Sequence, residues 1–144
     1  MSGIYGMGQH PTEDQGWVGW LIRRAMKKKP ITIYGDGKQV RDILFITDLL
    51  YAFDKMVENI ERAKGQAYNI GGGRNNSISI LELLEFLEKE LGIESSEVSS
   101  GPWRLADQKV YISNTQKAKG EFGWEPRVSK EEGIRRLYQW MGKV

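Results

Sequence analysis

Residues 31–46 read ITIYGDGKQVRDILFI, and this stretch decides the fold. Two runs rich in β-branched and aromatic residues, 31–34 and 40–46, lie on either side of the Gly-Asp-Gly at 35–37. An Asp-Gly pair between two such runs is a strong hairpin signal, so the spacing predicts two antiparallel neighbouring strands. Amphipathic helical patterns lie on both sides of the stretch. The predicted fold class is therefore α/β, a small mixed domain of short strands and capped helices.

Five helices are predicted, most of them from apolar residues that recur every three or four positions. The first begins near a cap at Thr12 or Asp14 and stops at Pro30. Capping boxes at 79–82 and 129–132 open the third and the last helix, and Asn114 caps a short fourth one that ends near Phe122. The second helix runs from Thr47 to about Arg62, and its predicted core face consists of Leu49, Ala52, Phe53, Met56, Val57 and Ile60.

Short strands and loops fill the rest of the chain. Residues 1–10 are predicted to form a strand running into a loop, and 67–71 and 110–112 are predicted as further short strands. Residues 93–108 are polar and show no period, which predicts a connector. The glycines at 71–73 do not match a dinucleotide-binding or phosphate-loop spacing, and we interpret them as an ordinary turn at a strand end.

Composition excludes several classes of site. The chain has 144 residues, 21 basic and 19 acidic, with a formal net charge of +2, so charge alone indicates neither nucleic acid nor a membrane surface as partner. It has no cysteine and one histidine, His10, which excludes disulfides, thiol nucleophiles and the common zinc sites, and no metal site is predicted. No apolar run approaches the roughly 20 residues of a membrane span and no signal-peptide pattern is present, so we expect a cytoplasmic protein.

Two arginines are the strongest candidates for binding a ligand. Arg41 follows the Gly-Asp-Gly turn among apolar neighbours, where a guanidinium needs an anionic partner, either a carboxylate such as Asp42 or a phosphate. Arg104 lies in the irregular connector, where it is either solvated or part of a binding loop. Two arginines on separate segments could hold a diphosphate through bidentate hydrogen bonds.

Other charged and aromatic residues have simpler interpretations. We interpret Glu13 and Asp14 as partners of a helix dipole, because adjacent helical carboxylates point apart. The basic residues at 23–29 are interpreted as a solvated helix end. Trp17 and Trp20 pack in the core or line a cleft or a partner surface.

Taken together, these motifs resemble those of one family. The sequence carries TEDQGW at 12–17, ITIYGDGKQVRD at 31–42, YNIGGG at 68–73, RLADQ at 104–108 and KAKGEFGWEP at 117–126. In this order, it is similar to the C-terminal part of the extended short-chain dehydrogenase/reductase sugar-nucleotide epimerases, over Met1 to about Trp140. The likeness is greatest to the members that act at C2 of a CDP-linked sugar.

The resemblance implies a fold and a set of binding residues. Residues 1–144 correspond to the substrate domain without its Rossmann half, except that 1–10 correspond to a strand and loop of the Rossmann sheet. Arg41 and Arg104 would bind the diphosphate of the nucleotide sugar. The remaining substrate-binding residues implied are Thr32, Ile33 and Tyr34 around the base, Asn69 as a hydrogen-bonding partner of the nucleotide, and Gly16, Trp17 and Val18, which bring the start of the first helix to the diphosphate.

The resemblance also implies which parts are missing. Family members oxidise a sugar carbon by hydride transfer to NAD and use a Tyr-x-x-x-Lys pair, and the NAD-binding turn and this pair precede the region that the chain resembles. The pairs Tyr34–Lys38 and Tyr51–Lys55 have the bare spacing, but neither aligns with the catalytic pair. We therefore expect the chain to begin at an internal methionine, to carry no catalytic residue and to hold no cofactor itself.

Three functions remain compatible with the sequence. The first is the sugar-nucleotide-binding C-terminal portion of an NAD-dependent epimerase, inactive alone, with a CDP-sugar as the favoured ligand. The second is a stand-alone nucleotide-binding module. The third is a protein-interaction module or one half of a split epimerase. Its partner would be a Rossmann-domain chain or a second copy, and we expect an unusually apolar surface and an unpaired edge strand at 1–8.

Overall fold

The computed structural model describes residues 2–94 and 97–144. Met1, the predicted start of the first strand, and residues 95–96 of the predicted connector lie outside the described residues. The strands are β1 (Gly3–Tyr5), β2 (Ile31–Tyr34), β3 (Val40–Phe45), β4 (Ser77–Ser79), β5 (Val98–Gly101) and β6 (Val110–Tyr111). The helices are α1 (Trp17–Met26), α2 (Ile46–Glu58), α3 (Ile60–Ala63), α4 (Ile80–Leu91), α5 (Gln116–Phe122) and α6 (Lys130–Met141), with a 3₁₀ turn at Arg74–Asn76.

Strand β3 is the centre of the larger sheet. Its second half pairs in parallel with β1, and its first half pairs with antiparallel β4 and parallel β6. A separate two-stranded parallel sheet joins β2 to β5, with Ile31 opposite Val98 and Tyr34 opposite Gly101. The domain is thus a small mixed α/β domain, as predicted.

The predicted hairpin at 31–46 is wrong. Both strands form, but β2 pairs with β5 and β3 with the larger sheet, so they are not partners of each other. The connecting turn has positive φ at Gly35 and Gly37, and it packs on α4, whose Leu81 donates its backbone N–H to the Gly37 carbonyl. The partner of β2 comes from the polar segment VSSG, whose side chains are mostly exposed and therefore carry no apolar alternation.

The helices match the sequence best where a cap is present. In α4 the Ser79 hydroxyl accepts from the Glu82 N–H and the Glu82 carboxylate accepts from the Ser79 N–H. That backbone hydrogen bond lowers the pKa of Glu82. Helix α6 forms only half of its predicted capping box: the Ser129 hydroxyl accepts from Glu132 N–H, whereas the Glu132 carboxylate binds Arg136.

Helix α1 starts later than predicted, and the predicted second helix is divided. Gly16, in the left-handed conformation, precedes α1, so neither Thr12 nor Asp14 is its cap. The predicted helix from Thr47 to Arg62 is interrupted at Asn59 between α2 and α3. Residues 67–71, predicted as a strand, form none. Asn114 acts one residue before the cap position of α5, where its side chain accepts from Gln116 N–H.

Two apolar clusters form the core. The larger one packs α1, α4 and α6 against β2 and β3, and the smaller one surrounds Trp124. The indole of Trp124 is fully buried and donates to the backbone oxygen of Asp48. The Asp48 carboxylate in turn accepts from the N–H groups of Arg127 and Val128, which joins the start of α2 to the segment before α6.

Part of the predicted core face of α2 is exposed. Of the predicted face, Ala52 is buried and Leu49 and Met56 pack against the smaller core cluster. Phe53, Val57 and Ile60 are each 51% exposed or more, and so is Leu50, which was not predicted to be in the core. Strand β1 lies at the sheet edge and, within the described part of the chain, pairs only with β3. None of the described helices has the length and apolar character needed to cross a bilayer.

Candidate binding cleft

A cleft of about 410 Å³ lies where the start of α1, the strands β2 and β3, and the loop at 102–109 meet. Six of the nine predicted binding residues line it, namely Gly16, Trp17, Thr32, Tyr34, Arg41 and Arg104. They come from four separate segments of the chain. The fold therefore brings together residues that are up to 88 positions apart, Gly16 and Arg104.

Arg41 lies in the wall of the cleft on β3. Its Nη2 is 2.6 Å from Oδ1 of Asp107, and its Nη1 donates to the Val40 carbonyl at 2.9 Å. Asp42, the adjacent candidate partner, points to the opposite side of the strand because successive side chains alternate. The carboxylate partner of Arg41 in this structure is therefore Asp107.

Arg104 reaches the cleft from the loop at 102–109. Its guanidinium carbon lies 4.3 Å from the centre of the Tyr34 ring, a cation–π contact, and its Nη1 is 3.3 Å from Oδ1 of Asp14. The side chain of Arg104 is 39% exposed and that of Asp14 is 90% exposed. Solvent screens this pair, so it contributes little stability and can open readily.

The Tyr34 hydroxyl donates to Oε1 of Glu13 at 2.8 Å. This hydrogen bond, followed by the charge of Glu13, raises the pKa of Tyr34. Tyr34 therefore remains protonated at neutral pH and offers an aromatic face rather than a base. Glu13 and Asp14 precede α1 and bind Tyr34 and Arg104, so their interpretation as dipole partners within the helix is wrong.

The start of α1 faces the same cleft. Gly16 has φ +79° and no described side chain caps the helix. The first backbone N–H groups of a helix have no intrahelical partner and carry a partial positive charge, which favours an anion. Trp17 and Trp20 line the cleft and also pack against the larger core cluster, so both of their predicted roles are combined.

Three predicted residues lie elsewhere. Ile33 and Val18 are buried in the larger core cluster rather than in the cleft wall. Strand alternation explains Ile33, since Thr32 and Tyr34 on either side of it face the cleft. Asn69 is exposed and donates to the Asn114 carbonyl.

Two lining residues were missed by the sequence analysis. Gln39 lies two positions before Arg41, and two residues of that spacing share one face of an extended chain, a signal that could have identified it. Asp107 follows Ala106, which has a left-handed φ of +62°. A loop conformation of this kind has no periodic sequence signal.

The glycine-rich turns do not fit a dinucleotide. A Cβ placed on Gly71 would lie under 3.0 Å from Ser113 Oγ and Asp42 Oδ2, and the Gly73 N–H already donates to Asp42. The turn is thus filled by the chain's own atoms and offers no cradle for a phosphate. This turn therefore does not have the form of a dinucleotide-binding turn.

The carboxylates of the cleft occupy positions on its arginines that a phosphate could take instead. Each of its carboxylates has a partner, Glu13 with Tyr34, Asp14 with Arg104 and Asp107 with Arg41. A phosphate could replace a carboxylate on either arginine with the same geometry. The arrangement is one for binding an anion next to an aromatic surface.

Comparison with known proteins finds epimerases both among family models and among individual sequences. Residues 1–71 match the model of the NAD dependent epimerase/dehydratase family. The chain is 37% identical to CDP-paratose 2-epimerase of Salmonella typhi over 99% of its own length and 44% of that protein. The chain therefore spans less than half the length of this relative.

Solved structures agree with this comparison. UDP-glucose 4-epimerase of Thermotoga maritima with UDP-glucose superposes with a TM-score of 0.87 and 30% identity, over 99% of this chain and 44% of that one. MoeE5 in complex with UDP-glucose and NAD gives a TM-score of 0.84 and 28% identity, over 97% and 44%. Both relatives are bound to a nucleotide sugar.

Proposed function

Because the chain belongs to the NAD dependent epimerase/dehydratase family, we propose that it is the sugar-nucleotide-binding C-terminal portion of an NAD-dependent nucleotide-sugar epimerase. In this proposal the cleft holds the ligand and residues 1–10 belong to the sheet of a Rossmann half. The chain by itself binds without catalysing, since the hydride acceptor and the base belong to the remaining part of the enzyme.

One observation carries the proposal: two arginines from distant segments line one cleft, beside an uncapped helix start. Arg41 is held by β3 and Arg104 by a loop, and both already bind carboxylates there. Guanidinium groups bind phosphate and carboxylate with the same bidentate geometry, and a helix N-terminus adds unpaired N–H donors. A diphosphate satisfies all three groups together.

The nucleoside then lies along β2. Thr32 and Tyr34 line the cleft next to Arg104, and an aromatic ring provides a stacking surface for a base. The similarity to CDP-paratose 2-epimerase favours a CDP-sugar over the UDP-sugars bound by the solved relatives. The pairs Tyr34–Lys38 and Tyr51–Lys55 have no catalytic role in this proposal, since Tyr34 is bound to Glu13 and Lys55 to Glu58.

Calorimetric titration with CDP, UDP and NAD tests the proposal. We expect the chain to bind CDP, and Arg41→Ala and Arg104→Ala to weaken binding by about 1–3 kcal/mol each, the usual loss of a hydrogen bond to a charged group. Arg41 should have the larger effect, because its side chain is less exposed.

The exposed Arg23 on α1 provides the control, and Arg23→Ala should leave CDP affinity unchanged. Lack of CDP binding, or CDP binding that neither cleft substitution weakens, would refute the proposed site. Binding of NAD alone would contradict the assignment of the cofactor to another part of the enzyme.

We propose a second function, docking, for the apolar face of α2. Leu50, Phe53 and Val57 of α2 and Ile60 of the adjoining α3 are exposed. The edge strand β1 packs against α2. An exposed apolar patch next to a free strand edge favours a partner that adds a parallel strand and covers the helix. The resemblance described above implies a Rossmann half with a parallel sheet in the remainder of such an enzyme, so we propose this half as the occupant.

Sedimentation of the chain mixed with the part of the Salmonella typhi epimerase that it does not match tests the docking face. We expect a complex, and we expect Phe53→Glu with Val57→Glu to weaken it at least tenfold by placing charges in an apolar interface. Val144→Glu, also at an exposed apolar position, is the matched control. A complex that the α2 variant leaves intact would contradict this role of α2.

A further inference from the structure

The smaller sheet has an outer edge at β5. Within the described part of the chain, β5 pairs only with β2. The carbonyls of Glu97 and Gly101 accept from N–H groups of the β2 side, at 2.8 and 3.0 Å. Because the backbone groups of successive strand residues point to opposite edges, those of Val98 and Ser100 point away from β2. Such an edge can pair with another extended chain.

A groove of about 480 Å³ lies beside this edge, between β5 and α4. Its apolar lining consists of Leu81, Leu84 and Val98, and both Leu81 and Val98 are exposed. Side chains alternate along a strand, so Val98 and Ser100 share the face of β5 that borders the groove. Every second side chain of a strand added to β5 would lie over the same groove.

The groove is acidic as well as apolar. Glu85, Glu88 and Glu94 line it, and no described basic residue does. Glu85 is paired with Lys89, whereas neither of the other two carboxylates is paired with a described basic group. Pairing of β5 with β5 of a second copy would bring two such acidic groups close together. The charge pattern therefore favours a basic partner over self-association.

We propose that β5 is a docking strand for an extended segment of another protein, in which basic and apolar residues alternate on the face that meets the groove. Main-chain hydrogen bonds to Val98 and Ser100 hold this segment as a third strand, and its side chains give specificity. Its basic residues pair with Glu88 and Glu94, and an apolar residue between them contacts Leu81. None of these residues lines the ligand cleft, so the inference does not depend on the proposed function.

Fluorescence anisotropy with the labelled peptide Thr-Lys-Thr-Val-Thr-Lys-Thr tests the charge requirement. Both lysines and the valine lie on one face of this peptide when it is extended. We expect the chain to bind it, and not to bind the same peptide with glutamate in place of lysine. Glu88→Lys with Glu94→Lys should weaken binding about tenfold, because two attractive cross-strand pairs become repulsive.

Glu61→Lys with Glu125→Lys is the matched control for this variant. Both residues are exposed and lie outside the groove, and the two substitutions change the net charge by the same amount. The control should leave peptide affinity unchanged. An equal loss in the control would show that the peptide responds only to the overall charge, and would overturn the assignment to the groove.

Ser100→Pro tests the strand pairing. Proline removes an N–H that points away from β2, so the sheet keeps its own hydrogen bonds, and edge strands tolerate proline. We expect an unchanged circular dichroism spectrum and about tenfold weaker peptide binding. In the unaltered chain, the peptide should slow amide hydrogen exchange at Val98 and Ser100 and leave it unchanged at Ser99 and Gly101, a measurement that covers a failure of Ser100→Pro to fold.

Two results would overturn the proposal and leave the proposed function of the cleft untouched. One is equal binding of the lysine and glutamate peptides, or no slowing of exchange at Val98 and Ser100 when the lysine peptide is added. The other comes from sedimentation of the chain alone. A dimer that Ser100→Pro dissociates would show that a second copy, and not a basic segment of another protein, occupies the edge.

Discussion

Gly72→Ala is expected to abolish the cooperative folding of this domain. A Cβ on Gly72 would lie under 3.0 Å from the carbonyl oxygen and carbon of Ile43 and from Cβ of Asn76. Ile43 belongs to β3 and is paired with Gly3 of β1, so its backbone cannot yield without disrupting the sheet. We expect a loss of about 4 kcal/mol or more in the free energy of unfolding, a large part of the stability of a small domain.

Urea unfolding followed by circular dichroism measures this effect, and Gly120→Ala is the control. Gly120 lies within α5, has no positive φ, and a Cβ there would meet no described atom within 4 Å. Alanine is a better helix former than glycine by about 1 kcal/mol, so this second change should stabilise the protein. Replacement of glycine by alanine is thus expected to lower the free energy of unfolding at position 72 and to raise it at position 120. A Gly72→Ala protein that unfolds at the wild-type urea concentration would contradict the close-approach argument.

The predictable parts of the fold are those whose signals are local. The capping box of α4 and the apolar spacing of α6 depend on residues within one helix, and both were predicted correctly. The Asp-Gly signal at 35–37 is also local, but it fixes only a turn. Which strand pairs with β2 depends on β5, more than 60 residues away, whose exposed serines give no apolar pattern.

Periodicity predicted helix α2 correctly and its buried face in part, since Leu49, Ala52 and Met56 pack in the domain core. Leu50, Phe53 and Val57 have the spacing of a core stripe, yet all are exposed. A hydrophobic stripe indicates that a helix face has a partner and does not specify that the partner is on the same chain. The position of Ala52, which is buried, shows which face packs against this domain.

The candidate site was predicted from two kinds of information. The arginines were singled out by residue type, whereas Gly16, Thr32 and Tyr34 came from the resemblance to a family, and the fold brings all of them to one cleft. Because side chains alternate along a strand, Ile33 could have been assigned to the core and Thr32 and Tyr34 to the cleft. Asp107 could not be assigned as the partner of Arg41, because a loop contact over 66 positions has no sequence pattern.

The side chains of the adjacent residues Arg41 and Asp42 lie on opposite faces of β3. Arg41 faces the cleft, and Asp42 is fully buried on the other side. Oδ2 of Asp42 accepts from the Ser113 hydroxyl at 2.6 Å and from the Gly73 N–H at 3.0 Å. This carboxylate therefore joins the glycine turn and the segment after β6 to β3, the strand that carries Arg41. Asp42 contributes to the stability of the domain, and the adjacent Arg41 contributes to the cleft.

Asp42→Ala is accordingly expected to lower the free energy of unfolding by about 3–5 kcal/mol. It leaves the buried Ser113 hydroxyl and the partly buried Gly73 N–H without their acceptor. Each unpaired buried donor costs about 1–3 kcal/mol. Asp42→Asn should cost about 1–2 kcal/mol, because its amide oxygen can take the place of Oδ2 for both donors. Its NH₂ then replaces Oδ1, which accepts no hydrogen bond from any described residue.

A double-mutant cycle with Ser113→Ala separates this network from a general packing effect. If Asp42 acts through its hydrogen bonds, its replacement by alanine should cost about 1–2 kcal/mol less in the Ser113→Ala protein, where one of the two donors is already absent. A purely steric role would give the same cost in both backgrounds, since Ser113→Ala leaves the space around the β-carbon of residue 42 almost unchanged. Additive costs would therefore show that Asp42 does not stabilise the domain through its hydrogen bond with Ser113.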